Sequence, residues 1–287
     1  MPDAQPGILE PHAPVARSLA FRIAPEADFA AALRRLRDRY APAAGVVGLG
    51  VPAVLALGKS IPGLRPFPAL AGPACSVPST QQALWFLLRG PDRGTLFDAS
   101  RDLRALLADS FVAEDAMDLF QYRGGRDLTR FEDGTENPKG DAAALAALAK
   151  DGSSFAAVQR WVHDLDRFHR MSSRQRNDVI GRDAETNDEL EDAPETAHVK
   201  RTAQESFDPA AFMVRRSLPW AGETRQGLEF ISYVASLDAF ERMMRRMVGE
   251  EDGLVDGLFR FSHPITGGYY WLPPVRDGRI DLAALGM

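Results

Sequence analysis

The chain has 287 residues, 45% hydrophobic and 26% charged, with a formal net charge of −6 and a pI near 5.5. This is ordinary globular composition, long enough for one large domain or two medium ones that each bury a core. The acidic balance gives no electrostatic reason to expect nucleic acid or an anionic membrane as partner. A single cysteine, Cys75, excludes an internal disulfide and a zinc site of several thiolates. No run reaches the roughly 18 apolar residues of a membrane span. The opening MPDAQPGILEPHAP lacks the basic start and apolar stretch of a secretory signal, so the expected location is cytoplasmic.

In chain order, residues 15–23 alternate, with Leu19, Phe21 and Ile23 on one side and Ser18, Ala20 and Arg22 on the other. That predicts a half-buried strand. Pro25 and Glu26 open a helix in which Phe29, Leu33, Leu36 and Tyr40 recur at helical spacing. Residues 46–51 predict a short strand, and the Pro- and Gly-containing stretch 56–82 a long irregular loop. A strand at 83–88, a helix carrying Leu103, Leu106, Leu107 and Phe111, and a strand at 116–122 complete the order β-α-β-β-α-β. This is the ferredoxin-like unit, a four-stranded antiparallel sheet with both helices on one face.

The second half repeats the order. Strands are predicted at 155–162, 212–215, 228–235 and 267–272, helical material at 165–180, and a helix capped by Asp238 that carries Phe240, Met243, Met244 and Met247. The predicted architecture is α+β, with two ferredoxin-like domains at 1–145 and 146–287 and a connecting helix within 141–150. Residues 181–204 form a long polar stretch rich in carboxylates. Long structureless loops inside a compact domain are uncommon and often functional, and this one carries His198.

There are five histidines, His12, His163, His169, His198 and His263, and no pair has the HExxH spacing of a metalloprotease helix. His12 and His169 read as surface residues. The stretch RDLTRFEDGTENPKG at 126–140 packs Glu132, Asp133, Glu136 and Asn137 around Gly134. It reads either as a surface turn or as an acid or base brought close to a ligand beside a glycine.

RFEDGTENP at 130–138 resembles the GxxDG signature of the dye-decolorising peroxidases, often extended as DGTENP. VQRWVHDL at 158–165, VIGR at 179–182, HV at 198–199, RRSLP at 215–219, GLEFISY at 227–233 and TGGYYWLPP at 266–274 resemble the B-type branch in order and spacing. The resemblance runs from Gly7 to about Pro274. It implies two ferredoxin-like domains of the dimeric α+β barrel-like superfamily, with one haem b per chain held mainly by the C-terminal one. It implies a peroxidase that reduces hydrogen peroxide through a ferryl intermediate and oxidises dyes, phenols or similar small-molecule reductants. A homo-oligomer, dimer or higher, is implied too. The short C-terminus DGRIDLAALGM offers no convincing tail for loading into a protein nanocompartment. The alternative readings are a haem-handling protein with incidental peroxidase activity and a ferredoxin-like module without haem.

Carried over residue by residue, the resemblance makes His198 the proximal iron ligand, Asp133 the distal acid–base and Arg215 the distal arginine. Asp256, in DGLVDGLFRF, is the implied carboxylate partner of His198, with Asp252 close by in sequence. Arg182 and Arg215 are the cations for haem propionates, Glu136 and Asn137 line the pocket edge, and Phe230 forms the distal wall or simply the core of a central strand. Ser217 stands where some relatives have asparagine, and His163 lies near the haem or serves the core. Electrons from bulky reductants enter at the haem edge or through Trp85, Trp161, Trp220, Trp271 or one of the five tyrosines, each of which reads otherwise as core packing. Arg130 replaces the first glycine of the signature. It is strained if that position needs a positive φ; in ordinary geometry it adds a cation.

Overall fold

The computed structural model describes residues 3–25 and 27–287. Strand β1 (Val15–Ile23) alternates as its sequence requires: Leu19 and Phe21 pack into the core beneath two helices, while Ala16 and Ser18 face the other way. Those helices are α1 (Phe29–Arg39) and α3 (Arg93–Leu107), with β2 (Gly45–Leu49), α2 (Val51–Ala56), β3 (Leu70–Ala71), β4 (Ser76–Val77) and β5 (Leu84–Gly90) between them. Strand β6 (Phe111–Phe120) and helix α4 (Asp141–Ala147) follow. The second half comprises β7 (Ser154–His163), α5 (Leu165–Arg170), α6 (Ser173–Ile180), α7 (His198–Arg201), β8 (Val214–Arg215), β9 (Leu218–Ala221), β10 (Gln226–Val234), α8 (Leu237–Met247), β11 (Ser262–Pro264) and β12 (Gly268–Leu272).

Several boundaries differ from the sequence expectations for identifiable reasons. Helix α1 starts at Phe29 because the Asp28 carboxylate accepts from Ala31 N at 3.0 Å and caps it; Pro25 is in a turn and Glu26 lies outside the described residues. The strand expected through residue 51 stops at Leu49, since Pro52 suits the first turn of a helix and cannot serve a ladder. Phe111 opens β6 instead of closing α3, though it still reaches the same core. The helical stretch 165–180 is broken in two by Ser172 and Gln175, which form a reciprocal capping box. Ser236, not Asp238, caps α8, and Asp238 occupies the first turn.

The strand order is β6-β1-β5-β2-β12-β7-β10-β8. Within each half this is fourth, first, third, second, the ferredoxin-like order. The two expected four-stranded sheets are nevertheless joined: Trp271 of β12 pairs with Leu49 of β2, giving one antiparallel sheet of ten strands. β6 at one end packs against β9 at the other, so the sheet curls on itself.

The inside of the curl holds Trp85, Val158, Ile231 and Tyr270. It also holds a buried polar network that links the halves. Arg160 of β7 donates to Glu229 of β10 at 2.9 Å and to Asp115 of β6 at 2.9 Å. Ser18 of β1 donates to Glu229 at 2.8 Å and accepts from Trp85 at 3.0 Å. Removing one member of a buried ion pair strands the other. Arg160→Met is therefore expected to lower unfolding stability by about 3–5 kcal/mol, and Arg160→Met combined with Glu229→Met to recover most of it. Denaturant titration of the three proteins checks this; additive losses in the double variant would refute it.

Candidate functional site

The opposite face of β7 and β10 carries Gln159, Trp161, His163, Leu228 and Phe230. Helix α8 lies over this face and presents Phe240, Met243, Met244 and Met247. Between them, and closed on one side by the loop 126–137, is a cavity. Its walls are mostly apolar, with His198, Asp133 and Arg215 among the few polar groups facing it. This is the make-up of a ligand site: apolar walls with a few placed polar groups.

His198 is the first residue of α7, and the Thr202 hydroxyl donates to its carbonyl at 2.7 Å. Its Nδ1 lies 2.8 Å from Asp256 Oδ2, and the carboxylate's other oxygen accepts from Leu258 N at 2.8 Å. The Asp256 side chain is fully buried. A carboxylate accepts only, so Nδ1 carries the proton, and in the neutral ring Nε2 is the nitrogen with a lone pair for a metal. Asp252, the neighbouring alternative, instead holds Arg201 through two hydrogen bonds of 2.7 and 2.8 Å.

Asp133 and Arg215 come together because Asn137 splices their segments. Asn137 Oδ1 accepts from Arg215 N at 2.8 Å, and its Nδ2 donates to Arg215 O at 2.9 Å, so the loop extends the edge of β8. Gly134 has φ 72°, and a Cβ there would stand 2.8 Å from Asn137 Nδ2. Asp133 retains accessible surface and borders the main cavity and two adjoining crevices. Desolvation pushes its carboxyl above the usual range, against the pull of the Arg215 charge. Burial lowers the Arg215 pKa, yet guanidinium remains charged. Arg215 Nε is buried without a partner.

The other expected residues are distributed more widely. Phe230 forms part of the cavity wall. Arg182 is buried at the mouth and already donates to Glu136 at 2.7 Å and Glu189 at 2.6 Å. Asn137 does not line the main cavity; it acts through the backbone of Arg215. Ser217 also lies outside it. Its hydroxyl accepts from Ile231 N at 3.4 Å, and it borders an adjoining crevice shared by Asp133 and Arg215. Arg130 has φ 76°, the left-handed geometry that glycine adopts without strain, with its side chain exposed. His12, expected to be solvated, is pushed down to about 4 by burial and by the charges of Arg216 and Arg89. Of the four tryptophans and five tyrosines considered for surface electron entry, eight are buried. Tyr122 alone is partly exposed, in the crevice beside Asp133 and Arg215.

Sequence reasoning missed Asp127. Its Oδ1 lies 3.1 Å from His163 Nε2, while His163 Nδ1 lies 2.6 Å from Ser262 Oγ, and both members of the pair line the cavity. The available signal was the Asp-x-Thr turn, in which Thr129 N donates to Asp127 at 2.9 Å.

The donor set fits haem. Among the described residues no group of three or more His, Cys, Asp or Glu side chains converges as a metal site. One imidazole with a free Nε2 in an apolar cavity would suit an iron whose other ligands come from a porphyrin.

The Dyp-type peroxidase C-terminal family matches residues 124–277, more than half of the chain. The chain is 31% identical over 224 residues to a dye-decolorizing peroxidase of Mycobacterium tuberculosis, covering 74% of this chain and 67% of that one. It is 31% identical over 244 residues to one from Rhodococcus erythropolis, covering 80% and 72%. Among solved structures, a dye-decolorizing protein from V. cholerae superposes with TM-score 0.84 at 30% identity, covering 93% and 96%. A Rhodococcus jostii DypB variant in complex with heme superposes with TM-score 0.85 at 28% identity, covering 93% and 95%.

The Asp127–His163 pair has a measurable acid signature. Burial alone would raise the Asp127 carboxyl, but the charge and hydrogen bond of His163 and the two bonds from Thr129 bring it down to about 2, from an ordinary value of 3.8. A folded value below the unfolded one stabilises fully above about pH 4, and that stabilisation fades as pH falls toward 2. Asp127→Asn is expected to cost about 2 kcal/mol at neutral pH and to flatten the stability profile between pH 4 and 2. Unchanged acid unfolding in the variant would contradict the assignment.

Proposed function

Because the chain belongs to the dye-decolorising peroxidase family and is an oxidoreductase, we propose that it reduces hydrogen peroxide at a haem b bound in this cavity, within the B-type branch. The supporting observation is the Asp256-held His198, its Nε2 free, facing the same apolar cavity as the Asp133–Arg215 pair. When bound, haem supplies the iron and the two-electron redox chemistry. The chain supplies the rest. We assign the halves 1–145 and 146–287 as two ferredoxin-like domains, the second providing His198 and most of the cavity.

In this reading His198 Nε2 is the single protein ligand, and Asp256 fixes its tautomer and raises its basicity. Asp133 takes a proton from one peroxide oxygen and returns it to the other. Its desolvated environment raises its proton affinity and helps it hold the proton between those two events. Arg215 stabilises the negative charge that develops on oxygen, in a wall where water does not compete. The apolar surfaces of Trp161, Phe230 and Met243 line the cavity and would bury the macrocycle. At the mouth, Arg182 is the cation for a propionate, exchanging Glu136 or Glu189, which are both exposed, for the ligand's carboxylate.

Charge stabilisation by a buried donor is commonly worth about 10²–10³ in rate. Arg215→Ala is expected to slow peroxide consumption in single-turnover stopped flow by about that factor, and more than Asp133→Ala does. The reverse ranking would overturn the division of labour between them.

A further inference from the structure

Among the buried polar atoms without a hydrogen-bond partner on the sheet face toward the cavity, three lie on β7, β8 and β10: Arg215 Nε, Ser232 Oγ and Gln159 Nε2. Ser232 stands opposite Arg215 across β10 and β8, and Gln159 stands opposite Phe230 across β10 and β7. Residues 230 and 232 share one face of β10, so the three side chains run diagonally across that face. Gln159 lines the same cavity as His198, Asp133 and Arg215, and it is only 1% exposed.

The orientation of the Gln159 amide is set by its neighbour. Trp161 Nε1 lies 3.4 Å from Gln159 Oε1. An indole N–H can only donate, so the amide oxygen must face it and the NH₂ must be the end left free. A buried amide donor without an acceptor is costly, and methionine has similar bulk without that cost. A free donor in the wall of a ligand cavity makes physical sense when a ligand brings the acceptor.

We infer that Gln159 is a further hydrogen-bond donor, beside Arg215, for a small oxygen-centred or anionic ligand held on the open side of the haem. This rests on the haem reading above and adds a residue to it. Arg215 contributes charge; Gln159 contributes a neutral, directed N–H, which favours small acceptors over ligands that cannot accept.

The test uses haem-loaded protein, wild type and the variants Gln159→Met and Gln159→Leu, with fluoride titrated against the ferric form and carbon monoxide against the ferrous form. Fluoride accepts hydrogen bonds strongly and carbon monoxide poorly. Losing one donor should raise the fluoride dissociation constant roughly five- to tenfold, with haem content unchanged and carbon monoxide affinity altered by less than about twofold. Fluoride affinity equal to wild type in a variant that holds haem normally would overturn the assignment of Gln159 alone. Equal losses for both ligands would overturn it too, by showing a general disturbance of the wall. Wild-type protein that takes up no haem would overturn the functional reading and this inference with it.

Discussion

The site depends on the hydrogen bond between His198 Nδ1 and Asp256 Oδ2, 2.8 Å long. It fixes which ring nitrogen is protonated, and hence which one faces the cavity. The surrounding contacts keep that bond in place. Asp256 Oδ1 is held by Leu258 N, Asp256 N donates to Met247 O at 2.8 Å, and Gly257 N donates to Thr196 O at 2.7 Å. Three residues along α7, Arg201 is clamped by Asp252 from the same loop. Residues 249–257 thus grip the His198 turn at both ends, and α8, which leads into that loop, also roofs the cavity.

Facing that turn, the sheet performs two tasks with opposite faces of the same strands. On β7, Gln159, Trp161 and His163 point to the cavity while Val158 and Arg160 point into the curl. On β10, Leu228 and Phe230 take the first side and Glu229 and Ile231 the second. The ionic network of Arg160, Glu229 and Asp115 therefore stiffens the wall against which Arg215 and Gln159 are presented. Asn137 adds the distal loop to that wall through two hydrogen bonds between its side chain and the Arg215 backbone, which brings Asp133 to Arg215 although they are far apart in sequence.

The elements were most legible where one face is apolar and the other polar, as in β1, or where apolar residues recur at helical spacing, as in α1 and α8. Strands β7 and β10 were legible at 155–162 and 228–235, although both their faces are largely buried and each carries polar residues within it. Phe111 shows the limit of spacing: it belongs to the core below α3 but reaches it from a strand. Helix α2 is six residues long, too short for a period to show. The union of the two sheets rests on Trp271 meeting Leu49, a long-range register that no local pattern carries. In the site, the roles of His198, Asp133, Arg215 and Asp256 came from resemblance to known sequences; spacing alone would have left His198 and Asp133 as loop residues and Arg215 as the end of a short strand. Asp127 and Gln159 were not legible, since each gains its meaning from a partner or a cavity formed by the fold.

The central claim is that the His198 imidazole, oriented by Asp256, holds haem iron across the cavity from Asp133 and Arg215. The most direct measurement is the absorption spectrum of protein produced with ample haem precursor, compared with His198→Ala. The account requires a Soret band with one haem per chain in the wild type, and its loss or marked displacement in the variant. Colourless wild-type protein, or a variant spectrum identical to wild type, would contradict it.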